Sequence, residues 1–359
     1  MAFKDWMQRL SGGSRAARSR TYPQLRAVDE YFADQLEWML YADMAGNLYT
    51  IDQYERRGLP VRAPRLSPSY QGFVAVIDLN EHGEEYLRSV MLLGVNSLPV
   101  RCLPEDRELF ARLLLESSQL RALFGSSEEV LPLWECMNEL YLERTGEEIK
   151  PFSPRPNQPL LYLAPETSLE SLASMQRLNV ALSALPAELA RIQFWRNPAG
   201  ENTTAGQSTG NSAESISPVR WAQQADIHAL VPAAAAMYTE ELGYNPLERY
   251  GSAYTQSVQR LIEEQRSVIV CDTSGRVIFK TDAGISSESM AQIQGVWLHP
   301  EYRGRGLSTL LFAHTCDLLR TRWEHITLYV NDYNAPALAL YERTGWEDIG
   351  SLSTFILRV

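Results

Sequence analysis

The segment Gln292–Leu311, QIQGVWLHPEYRGRGLSTLL, constrains the fold more than any other stretch of this chain. An apolar strand runs into a proline-bearing turn, then a loop with two glycines, then an apolar helix. Loop amides and the helix N-terminus converge on one place, which makes an anion site from backbone alone. Gly304 and Gly306 allow close backbone approach, while Arg303 and Arg305 add positive charge. The loop is no dinucleotide fingerprint, and it lacks the Gly-Lys-Ser/Thr ending of a nucleotide-triphosphate loop. A tight strand–helix turn without a ligand is the plainer reading of the same residues.

The elements around this segment follow from periodicity and turn signals. Val219–Ala222 reads as a strand, Gln224–Leu242 as a helix stopped by Gly243, and Ala253–Gln265 as a further helix. Ser267–Asp272, Val277–Ala283 and Gln292–Leu298 read as strands, Gly306–Arg320 as a helix and Ile326–Val330 as a strand. A helix at Ala335–Arg343 and strand material in Trp346–Val359 complete the order β-α-α-β-β-β-α-β-α-β. Upstream, helices are expected at Glu30–Tyr41, Pro104–Leu115, Ser126–Tyr141 and Ser168–Ala190. A hairpin is expected from Gly72–Leu79 and Leu87–Val95, and a short strand at Gln158–Ala164. Asn197–Pro218, rich in Gly, Ser, Thr and Asn, has too few apolar side chains to offset its ordering entropy and reads as a flexible linker. A chain of 359 residues favours two cores. The expected division is a basic tail over 1–22, an α/β domain over 23–196, the linker over 197–217 and a second domain over 218–359. The overall class is α/β (α+β), with a mixed, partly parallel sheet flanked by helices.

The glycine loop resembles motif A of the GCN5-related N-acetyltransferases (GNAT), Gln/Arg-x-x-Gly-x-Gly/Ala. The match is Arg303-Gly304-Arg305-Gly306-Leu307-Ser308, with Ser308 in place of the usual Gly or Ala, still small and able to cap the helix. A second block, LYVNDYNAPALALYERTGW, aligns the family's Asn-x-x-Ala-x-x-x-Tyr with Asn334, Ala337 and Tyr341. The phrases MYTEELG, VIFKTDAG and LRSVMLLGVNSLPV resemble a two-domain actinobacterial subgroup with an N-terminal domain of unknown function (DUF4081-like). That domain resembles a degenerate acetyltransferase-like fold. Lacking an Arg-x-x-Gly-x-Gly loop, it is not expected to bind coenzyme A.

The resemblance implies that acyl-coenzyme A lies in a split between Gln292–Leu298 and Ile326–Val330. Backbone groups of Val296, Trp297 and Leu298 would bond the pantetheine arm, and one amide would polarise the acyl carbonyl. The amides from Gly304 through Arg305, Gly306 and Leu307 to Ser308 would hold the pyrophosphate. Arg303 divides evenly between a direct contact and a solvated charge, and Asn334 between a cofactor contact and a helix N-cap. Tyr341 is the expected general acid for the departing thiolate. The attacking ammonium must also lose a proton. Gln292 stands where some relatives carry a base glutamate, and strict alternation would put Gln292 and Gln294 on one face with Val296 and Leu298. Glu240 and Glu241 are the carboxylate candidates, with Asp282 weaker, His299 structural and a water relay open.

The expected activity is therefore transfer of an acetyl or short acyl group from acyl-coenzyme A, as co-substrate, to a primary amine on a small molecule or protein. A non-catalytic acyl-coenzyme A sensor, and a tandem enzyme of thiol-cofactor synthesis like mycothiol synthase, are the alternatives. The net charge of -11 argues against nucleic acid as partner and mildly favours a cationic acceptor. Of the 33 basic residues, all but Lys4, Lys150 and Lys280 are arginine. The four cysteines form no ligand or disulfide pattern and are expected reduced and buried; no metal is implied. No apolar run spans a membrane and the first residues do not read as a secretory signal, so a cytoplasmic monomer or homodimer is expected.

Overall fold

The run Gly72–Leu79 (β2) pairs antiparallel with Glu85–Leu93 (β3) around a turn in which Asn80 accepts hydrogen bonds from the amides of His82 and Glu84. This hairpin belongs to the first half of a long sheet. The computed structural model describes residues 22–167, 219–272 and 274–357. The expected linker, most of the tail and the helix at Ser168–Ala190 lie outside them.

The first half runs β1 (Gln24–Ala27), α1 (Ala33–Tyr41), α2 (Leu48–Arg57), β2, β3, β4 (Asn96–Arg101), α3 (Arg107–Glu116), β5 (Ala122–Ser126), α4 (Ser127–Thr145) and β6 (Ser153–Leu163). The second half runs β7 (Arg220–Trp221), α5 (Ile227–Leu242), a short α6 (Pro246–Tyr250), α7 (Ser252–Glu263), β8 (Ser267–Cys271), β9 (Val277–Ser286) and β10 (Met290–Leu298). It ends with α8 (Leu307–Arg320), β11 (His325–Tyr329), α9 (Ala335–Arg343) and β12 (Glu347–Ile356). The order expected for the second half is thus found with one short helix added, and the first half repeats it.

All twelve strands form one sheet in the order β1-β2-β3-β4-β5-β12-β6-β11-β10-β9-β8-β7. From its two ends inward, β1 to β5 and β7 to β11 occupy matching places. The final strands are then exchanged: β12 pairs with β5, β6 pairs with β11, and β6 and β12 pair with each other. The sheet is therefore continuous across the two halves. Phe355 of β12 stacks on Trp134 of α4 with ring centroids 4.2 Å apart, and it packs among first-half residues. Ala45, Leu48, Leu160, Met290 and Leu352 form a small core at the junction.

Strand β6 is longer than its apolar run. Pro154 and Pro156 read as loop, yet the stretch Ser153–Arg155 pairs with β12 while β11 reaches only Leu160–Leu163, so the missing amides fall where one side needs no ladder. Strands β4, with Pro99 inside, and β5, with Gly125, escape the sequence signals for the same kind of reason. Two cysteines depart from expectation: Cys102 and Cys316 are buried, but Cys136 and Cys271 are only half-buried. All four are free.

Candidate functional site

Strands β10 and β11 run parallel from Met290↔His325 to Ile293↔Leu328, and there the pairing stops while β10 continues to Leu298. The cause is a bulge. Gly295 takes a left-handed φ of 64°, and the β9–β10 register slips between Gln294 and Trp297. A Cβ there would lie 2.9 Å from the Met237 sulfur, so that side chain would have to shift as well. Strict alternation fails at this point. Ala291, Ile293, Val296 and Leu298 pack in one layer, and Trp297 packs in the other with Ala233 and Ala234 of α5. Val296 and Leu298 therefore do not share a face with Gln292 and Gln294.

Beyond β10 the chain crosses a one-turn 3-10 helix, Pro300–Tyr302, in which the His299 ring accepts from the Glu301 amide at 3.3 Å, a structural role as expected. Gly304 and Gly306 then sit at φ 74° and 75°. A non-glycine residue pays about 1–2 kcal/mol for that conformation. A Cβ on Gly304 would meet nothing within 4 Å, so the loop surface is open there. Gly306 itself holds the N-cap position of α8, and Ser308, expected to be able to cap the helix, is its second residue.

Between this loop, the end of β10, α5 and α9 lies a cleft of about 1020 Å³. Met237, Glu240 and Glu241 of α5 form one wall; Val296, Trp297 and Leu298 form the back; Arg303, Gly304, Gly306, Leu307 and Ser308 form the loop side. Asn334 and Tyr341 close it from α9, with Arg343. Of the residues singled out from sequence, Arg305, Asp282, Gln292, Gln294 and His299 do not line the cleft; the Arg305 guanidinium lies over the Tyr302 ring at 6.0 Å.

The charged groups divide sharply. Glu240 has both oxygens engaged, one by Trp297 Nε1 at 3.1 Å and one by Arg303 at 2.7 Å. Arg303 also donates through Nε to the Leu298 carbonyl at 2.8 Å, so it ties α5 to the end of β10. Asp282 is buried, one oxygen held by the Lys280 ammonium at 2.5 Å and the other by the Ser267 hydroxyl at 2.6 Å. Glu241 is exposed in the wall, without an ion-pair partner among the described residues, and its charge acts on Tyr341. Asn334 caps α9 by accepting from the Ala337 amide at 3.3 Å, so the helix-cap reading is realised even as the residue borders the cleft. Gln292 is buried on β10.

Tyr341 is 7 % exposed, its ring packed on Phe312 at 5.4 Å and Trp346 at 6.0 Å. Among the described residues no group accepts from its hydroxyl. Burial, then the nearby Cys316 and Glu241, push its pKa above the ordinary tyrosine value, so the hydroxyl stays a proton donor well past neutral pH. Sequence reasoning missed the buried Lys280–Asp282 pair beneath the bulge, although a lysine in so arginine-rich a chain was a signal. It also missed Arg343, which donates to Thr309 Oγ1 at 3.3 Å.

Comparison with known proteins adds to this geometry. Residues 234–346 match the acetyltransferase (GNAT) family, and residues 79–181 match a domain of unknown function (DUF4081). Comparison with curated proteins finds no match. Among solved structures, a Drosophila protein superposes with a TM-score of 0.52 at 13% identity, covering 94% of this chain and 99% of its own. A GCN5-related N-acetyltransferase from Sphaerobacter thermophilus gives 0.48 at 16% identity, covering 93% and 96%. A tandem GNAT protein from the clavulanic acid biosynthesis pathway gives 0.46 at 13% identity, covering 93% and 98%.

Proposed function

We propose that this chain, which carries a GNAT acetyltransferase domain and a DUF4081 domain, transfers an acetyl or short acyl group from acyl-coenzyme A to a primary amine. One observation carries the reading: the end of β10 that parts from β11, the open glycine loop and Tyr341 border a single cleft. The cleft is large enough for an extended ligand, and its loop side is the backbone anion site that a pyrophosphate requires.

In this reading the amides of Gly304 to Ser308 hold the pyrophosphate, and Arg343 adds charge beside them. The edge of β10 from Val296 to Leu298, unpaired toward β11, bonds the pantetheine arm and polarises the acyl carbonyl. The acceptor amine forms the new C–N bond as the C–S bond breaks; Tyr341 gives the departing thiolate its proton and regains one, through solvent, from the nitrogen as it becomes the amide. Glu241 takes the proton of the attacking ammonium, because Glu240 and Asp282 are engaged elsewhere. Glu240 and Arg303 instead fix the wall against the loop. The protein works in the cytoplasm, as a monomer or homodimer.

Calorimetric titration with acetyl-coenzyme A tests the site, using wild type, Gly306→Ala and Gly306→Glu. The alanine carries the backbone strain and the glutamate adds charge where the pyrophosphate sits. Wild-type binding in the micromolar range, with an additional loss of about 100-fold in the glutamate variant over the alanine, is expected. Equal effects of the two substitutions would sink the pyrophosphate assignment, and no wild-type binding would sink the function.

A further inference from the structure

The C-terminal end of α5 turns through Gly243 into α6 and α7, and this corner gathers Tyr238, Tyr244, Tyr250 and Tyr254 around Arg249. The hydroxyls of Tyr238 and Tyr244 lie 3.1 Å apart, and those of Tyr244 and Tyr250 lie 3.2 Å apart, a chain running out to the half-exposed Tyr250. The Arg249 guanidinium sits over the Tyr244 ring at 4.6 Å and the Tyr250 ring at 5.7 Å. In a chain with 44 acidic residues, no carboxylate pairs with Arg249 among the described residues. Every other ring of the cluster faces another ring: Tyr238 meets Tyr244 at 5.5 Å and Tyr254 at 5.8 Å.

This corner adjoins the cleft at Met237, which packs with Tyr254 against one apolar cluster. Tyr238 adjoins Met237 on α5 and lies one turn from Glu241, both of them cleft residues. The Tyr244 and Tyr250 rings are covered by Arg249, so what the corner offers outward is an exposed guanidinium beside the end of a hydroxyl chain. Those are donors for a carboxylate. The tyrosines keep their protons: the pKa values of Tyr244 and Tyr250 are raised, chiefly by burial in the first and by the bond to Tyr244 in the second.

We infer that the acceptor carries a carboxylate as well as its amine, the carboxylate held by Arg249 and the tyrosine hydroxyls and the amine turned toward Glu241. The acceptor class is thus an amino acid or a similar amino-carboxylate. This rests on the acyl-transfer reading and narrows it: the global charge favours a cation, whereas the local charge at this corner favours a zwitterion.

Coenzyme A is titrated first, alone, into the full-length protein. Its failure to bind would defeat the acyl-transfer reading by itself, and the acceptor pairs would then be read on the unloaded protein. With coenzyme A bound, the protein is titrated with matched pairs differing only by the carboxylate: L-phenylalanine against phenethylamine, and L-leucine against 3-methylbutylamine. Wild type should prefer the carboxylate member by about ten-fold, and Arg249→Gln should erase that preference while leaving coenzyme A binding unchanged. Wild type without a preference, including binding of neither member, overturns the inference. So does a preference that survives in Arg249→Gln.

Discussion

The loop between β10 and α8 and the loop between β4 and α3 stand at matching places in the two halves. Each follows a strand that begins parallel to its neighbour, since β4 pairs with β5 at Asn96↔Ala122 and Ser97↔Leu123 much as β10 pairs with β11. In the second half the loop carries two left-handed glycines and borders an open cleft. In the first half the same place reads Cys102-Leu103-Pro104-Glu105-Asp106, without glycine. There the amides are spent internally: Cys102 donates to Glu129 at 2.8 Å and Leu103 to the Ser89 hydroxyl at 3.1 Å. Asp106 is fully buried, held by the Arg88 guanidinium and by the Ser89 hydroxyl at 2.6 Å. The helix that would face the reacting group differs too. α4 buries Ser127, Val130, Leu133 and Met137, with no counterpart of the buried Tyr341. One chain order thus carries two different loops, one with left-handed glycines beside an open cleft and one whose amides pair with the chain's own side chains.

The comparison can be broken at three points. The largest effect is expected from Phe355→Ala, because its ring is buried against Trp134 across the exchange of strands. A loss of about 4 kcal/mol is expected, as for other buried phenylalanines. Thermal melting should stay a single transition at lower temperature; two separated transitions would show that the halves unfold independently. Next comes Asp106→Ala, which leaves the Arg88 guanidinium without its buried partner and should cost about 3 kcal/mol in chemical denaturation. Acetyl-coenzyme A affinity should not change; a tenfold change would mean that the first-half loop serves the ligand after all. The smallest is Tyr341→Phe, with kcat reduced about 100-fold and affinity for acyl-coenzyme A retained. The Tyr341 pKa is raised, so the donor form persists as pH rises and is lost only above the usual tyrosine range of about 10. The wild-type rate should therefore lack a falling limb due to this residue near pH 8 to 9. An unchanged kcat in the phenylalanine variant would remove the acid role.

The second half was more legible than the first for a physical reason. A loop with two left-handed turns needs glycine at fixed spacing, and Arg303 to Ser308 display it. The first-half loop needs only to pair its own groups, which many sequences can do, so β4, β5 and α2 left weak traces. The bulge at Gly295 was invisible because a single left-handed glycine changes which residues share a face without changing the apolar pattern. The engagement of Glu240 by Arg303 and Trp297 joins residues 63 and 57 positions apart and has no local signature.

The exchange of β6 and β12 bears on how the protein is made. Ser353 of β12 bonds Ser127 at the head of α4, 226 positions earlier, at 2.9 Å. As the chain leaves the ribosome, β5 must wait with an open edge until β12 has been synthesised. An edge exposed for that interval invites pairing with a neighbouring nascent chain. Slow synthesis, or crowding of many chains on one message, should therefore favour dimers that trade these two strands between molecules.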